Sequence, residues 1–363
     1  MNKPIVLVDG VVFENKSQIG IWRVFFETMN RLASEVDYRL LLANPPLQPT
    51  PTGITIAEAE YRRPNNLRER LLSRFGLRPS RPQCSQPNNA IWHSSYFCLS
   101  PTGKRKNCVT VYDMIAEQCY ELLGNQAPPQ IELKRRAIER ADHVTCISES
   151  TAIDFRKFYP GFQGEVSVVR LGSEHLGVFT GTKTSSAEPY AIFVGSREYY
   201  KNFRVVLNAM ATTHWPKSLK LIVVGKPFAD YETSYIKSLR IESTIEQRVH
   251  ASSEELTRLY QNAACFIFSS IAEGFGLPIV EAQANRCPVI ASDIPVFREV
   301  AGDAALFFNP YSETDLANMC ENVLHEKTQR DLSLAGAENI HRFSWDETAS
   351  QMADIYRRLT TQT

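Results

Sequence analysis

Several features that define common protein classes are missing from this 363-residue sequence. Basic and acidic residues are equal in number, 40 of each, so no net charge favours nucleic acid or an anionic membrane. No run of 18 apolar residues is present, which argues against an ordinary transmembrane helix. The N-terminus leads directly into an apolar strand pattern, without the charged and apolar regions of a signal peptide. These absences predict a cytoplasmic protein.

Signatures of metal and cofactor sites are also missing. The eight cysteines are scattered and none forms a Cys-x-x-Cys pair, which argues against a zinc site and a disulfide framework. Neither Asp-x-Asp, the metal–diphosphate clamp, nor the P-loop pattern occurs. The dinucleotide pattern Gly-x-Gly-x-x-Gly is absent because Gly274-Phe275-Gly276 runs into Leu-Pro-Ile. We therefore expect no metal requirement and no bound cofactor.

Apolar strand patterns alternate with helix patterns in both halves of the chain. This alternation predicts an α/β protein with parallel sheets and right-handed crossovers. A polar stretch over residues 172–189 has the composition of an interdomain linker. We predict a Rossmann-like domain over residues 1–175, a second over 186–343, and a final helix over 344–363. The predicted strands are 4–9, 38–43, 90–93, 108–112, 143–147, 165–169, 190–194, 219–224, 264–268, 287–291 and 304–308.

Residues 62–81 differ from the rest of the chain, with seven arginines and one acidic residue, Glu69. Leucines and a phenylalanine recur there at helical spacing, with arginines largely on the other face. Such a helix either contacts an anionic lipid surface or acceptor, or is a solvated helix whose leucines pack on the first domain. The first alternative would put the protein peripherally on the inner face of a membrane. Few aromatics are interleaved, which argues against nucleic acid.

The most informative stretch runs from Glu273 to Glu281 and reads Glu-Gly-Phe-Gly-Leu-Pro-Ile-Val-Glu. It follows the apolar run Cys-Phe-Ile-Phe, which is typical of a buried parallel strand. The two glycines permit a sharp turn and close approach of the backbone to a ligand. Pro278 is typical of a helix start, where free N–H groups and the helix dipole favour a phosphate. The pattern predicts a sugar–nucleotide pocket.

A second motif follows the first strand of the second domain and reads Gly195-Ser-Arg-Glu-Tyr-Tyr-Lys-Asn. It places Arg197 and Lys201 just before a predicted helix, where the helix dipole disfavours cations. Arg197 and Lys201 therefore do not stabilise the helix, and their presence indicates another role. Binding of an anionic ligand explains it, and an exposed basic pair at a helix start is the alternative.

Together these motifs resemble those of retaining glycosyltransferases with the two-Rossmann-domain (GT-B) fold, the group that includes glycogen synthase-like and mannosyltransferase-like enzymes. The first motif is similar to their Glu-x7-Glu signature and the second to their diphosphate-binding element. The resemblance implies two sheets facing across a cleft and transfer of a hexose from a nucleotide sugar, a GDP-sugar rather than a UDP-sugar, to a saccharide or lipid-linked saccharide. It also implies retention without a metal.

The resemblance assigns roles within the second domain. Arg197 and Lys201 are expected to bind the donor diphosphate, and Glu281 to accept hydrogen bonds from the ribose. Glu273 is expected beside the donor sugar, with catalytic roles for Arg197, Lys201 and Glu273. The further donor contacts implied are Gly20 in the first domain, and Gly195, Ser196, Gly274, Phe275, Gly276 and Leu277.

The first domain is expected to supply the acceptor side. Val-Tyr112-Asp113-Met-Ile matches the family's strand followed by His-Asp, with Tyr112 where histidine is usual. Tyrosine keeps a hydrogen-bonding tip but cannot carry the near-neutral proton chemistry of imidazole. Asp113, His93 and Ser148 are further candidate acceptor or sugar contacts. A turn-forming aspartate, a structural histidine and a helix cap are the respective alternatives.

Two other functions fit the same motifs. One is a sugar-nucleotide epimerase or a phosphorylase with the same fold. The other is a catalytically silent nucleotide-sugar binder, or a partner subunit of an active transferase, which Tyr112 keeps open.

Overall fold

The computed structural model describes residues 3–15, 19–61, 82–83, 86–100, 103, 105–173, 179, 188–249 and 251–361. The chain forms two compact units. Unit 1 comprises Met1–Gly172 and Phe343–Thr363, and unit 2 comprises Ser173–Arg342. The basic segment 62–81 and most of the predicted linker lie outside the described residues. In the described part of the chain, no helix is both long enough and apolar enough to cross a membrane.

Unit 1 contains a seven-stranded sheet in the order β3-β2-β1-β6-β7-β8-β9, with every neighbouring pair parallel. The strands are β1 Ile5–Asp9, β2 Asp37–Leu42, β3 Thr55–Glu58, β6 Ile91–Ser94, β7 Asn107–Val111, β8 His143–Cys146 and β9 Glu165–Val168. A separate antiparallel pair is formed by β4 Glu60–Tyr61 and β5 Pro82–Gln83. The order reverses between β1 and β6, and in such sheets ligands bind at the carboxyl ends near the reversal.

The helices of unit 1 come from both ends of the chain. They are α1 Ile19–Leu32, α2 Ile115–Gln118, α3 Tyr120–Leu123, α4 Ala127–Ile138, α5 Glu149–Phe158 and the last helix, α13 Trp345–Thr361. Helix α13 packs on α1. Arg31 of α1 donates to Asp346 at 2.7 Å, and Trp345 and Tyr356 of α13 are fully buried. The final helix thus completes the core of unit 1.

Unit 2 contains a six-stranded parallel sheet in the order β12-β11-β10-β13-β14-β15. Its strands are β10 Tyr190–Val194, β11 Lys220–Val224, β12 Ile245–Arg248, β13 Cys265–Phe268, β14 Val289–Ser292 and β15 Leu306–Phe308. Its helices are α6 Phe203–Met210, α7 Asp230–Leu239, α8 Ser253–Asn262, α9 Leu277–Ala284, α10 Pro295–Ala301, α11 Glu313–Val323 and α12 Glu326–Asn339. The α/β class and the parallel sheets predicted from the alternating pattern are confirmed.

The central strands of unit 2 show why the prediction succeeded. All four residues of β13 are buried, because helices cover both faces of a parallel sheet. Serine side chains cap two helices of unit 2. Ser252 accepts from the Glu255 N–H at 3.1 Å, and Ser312 accepts from the Asp315 N–H at 3.2 Å. These side chains satisfy N–H groups that the first helical turn leaves unpaired.

In the two large sheets, two of the described strands were not predicted, and both lie at sheet edges. β3 has the sequence Thr-Ile-Ala-Glu and is mostly exposed, and β12, Ile-Glu-Gln-Arg, alternates between half-buried and exposed positions. An edge strand needs no continuous apolar run, since only part of it faces the core. The apolar pattern that revealed the central strands is therefore absent from both.

Candidate functional site

In unit 2 the loop after β10 and the loop after β13 are joined side by side. The Ile271 N–H donates to the Tyr200 carbonyl at 2.8 Å. The hydroxyl of Ser269 donates to the Lys201 carbonyl, also at 2.8 Å. β10 and β13 are parallel neighbours, so their loops leave the same carboxyl edge of the sheet. The sheet thus brings the two sequence motifs together.

The side chains of the two motifs meet in an ion pair between Lys201 and Glu273. Lys201 Nζ lies 2.5 Å from Glu273 Oε1, and the hydroxyl of Ser270 donates to the same oxygen at 2.7 Å. The lysine side chain is 19% exposed and the glutamate 12%. An ammonium group has three donors, and among the residues that the structure describes only Glu273 accepts a hydrogen bond from Lys201 Nζ. This partly open cation therefore has donors left for an anionic ligand.

The glycine turn leads directly into α9. Gly276 is the N-cap, with φ of 111° and ψ of 45°, a conformation that side chains disfavour. The side chain of Phe275 is only 3% exposed, so it anchors the turn in the core of unit 2. The backbone of the turn lies at the carboxyl edge of the sheet. Leu277 is the first helical residue and Pro278 the second, so the proline lies in the first turn of α9, as is typical of a helix start. The start of α9 follows Glu273, Gly274 and the turn without interruption.

Glu281 lies inside α9, half-buried. Burial, followed by the nearby charge of Glu281, raises the pKa of Tyr260 well above its ordinary value, so that phenol remains neutral. The structure thus places the two glutamates of the motif differently. Glu273 pairs with Lys201, while Glu281 lies farther along the helix, within the electrostatic reach of Tyr260.

Arg197, the other cation of the second motif, forms an ion pair with Glu232 and not with Glu273. Its guanidinium forms two hydrogen bonds with Glu232, at 2.6 and 3.0 Å, and the side chain is only 6% exposed. Desolvation would raise the pKa of Glu232, but hydrogen bonds from Arg197 and the Ala229 N–H, with the arginine charge, hold it below its ordinary value. The cation is therefore neutralised inside unit 2.

Gly195, after β10, and Gly225, after β11, lie in close contact with each other. Gly195 has φ of 122°, and a Cβ there would meet open space. A Cβ on Gly225 would lie 2.5 Å from the Gly195 carbonyl oxygen, so only glycine permits the two loops to approach. Ser196 donates to Glu198, which leaves its hydroxyl engaged within the same loop.

In unit 1, Tyr112 lies in a buried polar cluster at the carboxyl ends of the central strands. Its hydroxyl donates to the Ser95 carbonyl at 2.9 Å, and Ser95 donates through N–H and hydroxyl to Asp9, at 2.6 and 2.5 Å. Burial raises the pKa of Tyr112 well above its usual range. Tyr112 is 6% exposed and Asp9 fully buried, so the phenol is a neutral donor fixed in the core.

Asp113 occupies a turn between β7 and α2. Its carboxylate accepts from the Ile115 N–H at 3.0 Å, the bond of a turn-forming aspartate. Its carbonyl accepts from Lys134 Nζ at 2.8 Å, and the same ammonium pairs with Glu117 at 2.8 Å. The side chain of Asp113 is 38% exposed, so it remains accessible.

His93 is enclosed in the core of unit 1. Nδ1 lies 2.7 Å from the Tyr356 hydroxyl of α13 and Nε2 lies 2.9 Å from the Thr110 hydroxyl. Burial lowers the pKa of His93 to about 3, so the ring is neutral. The imidazole is 3% exposed, and its contacts within the core are those of a structural histidine.

The remaining predicted positions in unit 1 are simpler. Ser148 is fully buried and is the N-cap of α5, accepting from the Thr151 N–H at 3.0 Å. Gly20 is the second residue of α1 and is exposed. For Ser148 the geometry matches the capping alternative.

Sequence reasoning missed two residues that shape the site. Glu232, at the third position of α7, holds Arg197 and also accepts from the Ala229 N–H at 2.8 Å. Ser270 orients Glu273 from three residues away. An acidic residue in a first helical turn was a visible signal for Glu232, but it indicates capping and not an arginine partner. In the described part of the chain, no group of three or more histidine, cysteine or acidic side chains is placed to hold a metal.

Residues 180–338 match the family model described as glycosyl transferases group 1. The chain is 31% identical over 196 residues to the O-antigen chain mannosyltransferase RfbU of Salmonella typhimurium, which covers 53% of each protein. It is 30% identical over 237 residues to the serotype-specific mannosyltransferase WbdA of Escherichia coli, covering 58% of this chain and 28% of WbdA. The chain thus spans about half or less of the length of these relatives.

Solved structures show the same fold at low sequence identity. Sucrose-phosphate synthase from Thermosynechococcus elongatus matches with a TM-score of 0.75 and 18% identity, covering 100% of both chains. Anabaena HepE in complex with UDP-glucose matches with a TM-score of 0.68 and 15% identity, covering 98% of this chain and 99% of that one. The fold is that of GT-B glycosyltransferases, and residues 180–338 are similar to the group 1 glycosyl transferases.

Proposed function

We propose that this chain transfers a hexose from a nucleoside-diphosphate sugar to a saccharide acceptor. The observation that carries the proposal is the contact between Lys201 and Glu273 beside the start of α9. It joins a partly open cation, a carboxylate and a helix N-terminus at the carboxyl edge of one parallel sheet, where such folds bind ligands. A diphosphate needs the cation and the helix N–H groups, and a sugar needs the carboxylate.

In the proposed reaction the bond from the sugar C1 to the diphosphate breaks, and a bond to an acceptor hydroxyl oxygen forms. Lys201 and the first turn of α9 offset the negative charge that develops on the leaving diphosphate, so we propose that no metal is needed. Glu273 is held by Lys201 and Ser270 and accepts hydrogen bonds from the donor sugar. Transfer with retention is proposed, with the leaving phosphate taking the proton of the acceptor hydroxyl.

Further donor contacts are proposed from the sequence motif. Glu281 accepts from the ribose hydroxyls, and the backbone N–H groups of residues 275–277 meet sugar hydroxyls and phosphate. Gly195, Ser196, Gly274 and Gly20 are proposed to line the donor path. Asp113 is the predicted first-unit contact whose side chain remains accessible, and we propose that it faces the acceptor.

For the donor we propose a GDP-sugar, and specifically GDP-mannose. Support comes from the two relatives named mannosyltransferases, RfbU and WbdA. The named O-antigen role of RfbU supports a saccharide acceptor, and we propose a lipid-linked form of it. UDP-glucose is the competing donor, because the HepE structure holds it.

Calorimetry with GDP-mannose, UDP-glucose, UDP-N-acetylglucosamine and the free nucleotides tests the donor site. We expect one nucleotide family to bind, and Lys201→Ala to weaken it by roughly 10- to 100-fold, the scale of a lost charged hydrogen bond. Lys217→Ala is the matched control, because Lys217 is exposed and precedes β11 at the opposite edge of the sheet. Failure of the folded protein to bind any of these ligands would refute the proposal.

Turnover of the bound donor separates the remaining alternatives. A transferase consumes donor only when a saccharide acceptor is added, and EDTA leaves that rate unchanged if no metal is needed. Conversion of the donor without any acceptor would instead indicate an epimerase, and phosphate-dependent cleavage of a saccharide would indicate a phosphorylase. Donor binding without turnover under all these conditions would favour the silent binder.

A further inference from the structure

A buried ion pair fastens the loop after β10 to the start of α7. Arg197 Nε lies 2.6 Å from Glu232 Oε1 and Nη2 lies 3.0 Å from Oε2, which is a two-point contact between planar groups. Only 6% of the arginine side chain and 8% of the glutamate side chain are exposed. Each charge in such a pair depends on the other, because burial of either alone would be costly.

The same guanidinium also holds the backbone between β11 and α7. Nη2 donates to the carbonyls of Lys226 and Pro227, at 3.0 and 2.9 Å, and the guanidinium lies over the Phe228 ring at 4.9 Å. From the other side, Gln247 donates to the Lys226 carbonyl at 2.9 Å and accepts from the Phe228 N–H at 3.3 Å. Residues 226–228, which we term the β11 loop, are thus fixed by contacts from β12 and from Arg197.

The surroundings of Nη1, the third guanidinium nitrogen, indicate whether Arg197 can contact a phosphate or only holds the protein backbone. Nη1 is buried and has no hydrogen-bond partner among the described residues. It lies against Gly225, where an added Cβ would be 3.4 Å from it. A phosphate oxygen could reach this nitrogen only by displacing packed atoms. Lys201, whose side chain is 19% exposed, needs no such rearrangement.

We propose that Arg197 is a positioning residue, which with Glu232 holds the β11 loop as a wall of the nucleotide site without contacting the diphosphate. The inference rests on the proposed function for its ligand. The loop follows β11 at the carboxyl edge of the sheet, beside the loop that carries Lys201. Because the β11 loop is already held in place, less conformational entropy is lost when a nucleotide binds. The affinity of every nucleotide that contacts this loop is raised in the same way.

Nucleotide affinities distinguish positioning from diphosphate contact. The dissociation constants of the nucleoside diphosphate and monophosphate are measured by calorimetry for the wild type, Arg197→Gln, Glu232→Gln and Lys201→Ala. We expect R197Q and E232Q to weaken both nucleotides by the same factor, roughly tenfold, and the double variant to be no weaker than either single one. Lys201→Ala should selectively weaken the diphosphate.

The opposite pattern would overturn the proposal. If Arg197 bound the diphosphate, R197Q would lower diphosphate affinity selectively. E232Q keeps the charge of Arg197 but removes the carboxylate that holds it. The guanidinium would then be free to bind the diphosphate, and E232Q would preserve or increase the diphosphate affinity. Because R197Q removes a buried cation, its thermal unfolding is measured alongside, and E232Q gives the decisive comparison if R197Q does not fold.

Hydrogen exchange tests the positioning role of Arg197 and Glu232 independently of nucleotide binding. In the nucleotide-free protein, a peptide covering residues 225–232 should exchange several-fold faster in E232Q than in the wild type, while β10 exchanges as before. Unchanged exchange of that peptide would refute the positioning role whether or not any nucleotide binds. Absence of nucleotide binding with faster exchange would refute the proposed function alone.

Discussion

The buried ion pair between Lys134 and Glu117 provides a direct test of how unit 1 holds Asp113. Its side chains are 4% and 6% exposed, and Nζ lies 2.8 Å from Glu117 Oε2. Lys134→Met keeps most of the side-chain volume but removes the charge. Glu117 would then remain inside the protein with the Tyr159 hydroxyl, at 3.2 Å, as a donor. Breaking such a pair from one side costs about 3–5 kcal/mol of stability.

The Asp113 carbonyl would lose its lysine donor in the same variant, which adds about 1 kcal/mol. The double variant Lys134→Met/Glu117→Leu removes both charges, and we expect it to recover most of the loss, because apolar replacement of a whole buried pair is often neutral.

Native-state hydrogen exchange of the β7 amides measures the unfolding free energy of unit 1 without depending on unit 2. A loss below about 1 kcal/mol in the single variant, typical of an exposed pair, would contradict the structural argument. So would a double variant as unstable as the single one.

Three further predictions concern polar groups in the two cores. Tyr356→Phe should destabilise unit 1 by about 1–3 kcal/mol, measured by urea unfolding, because a buried His93 nitrogen loses its partner. Tyr112→Phe should cost a similar amount, because the Ser95 carbonyl loses its donor, and no change would mean that this bond is absent. The pKa of Glu232 is lower in the folded protein than its ordinary value of 4.5, so the ionised carboxylate stabilises unit 2 at any pH above 4.5. This stabilisation should be lost as the pH falls through the lowered pKa of the folded protein. Acid titration of thermal unfolding should show this dependence in the wild type and lose it in Glu232→Gln.

The fold class and the positions of the two motifs at the ends of their strands could be predicted from the sequence because their causes are local. Central strands of a parallel sheet are buried on both faces, so β13 reads as an uninterrupted apolar run. The turn before α9 needs a residue that tolerates φ of 111°, and the glycine of the motif marks it directly. The edge strands β3 and β12 carry no comparable local signal and were missed.

The partners of charged side chains were decided only by the tertiary structure. Lys201 finds Glu273, 72 residues away, because β10 and β13 are neighbours in the sheet. Arg197, in the same short motif, finds Glu232, 35 residues away, because β11 and α7 follow on the other side. Two cations with one apparent role in the sequence thus have different environments, and their spacing along the chain does not reveal this.

The same limit applies to His93, whose partner Tyr356 is 263 residues away on the last helix. A histidine near the end of a strand fits both an acceptor contact and a core residue, and the 3% exposure of His93 is that of a core residue. Sequence by itself therefore determined which backbone segments carry the candidate site, since glycine, proline and apolar runs act through local conformation. Only tertiary packing decided which side chains are open to a ligand, because access and ion pairing depend on residues distant in the chain.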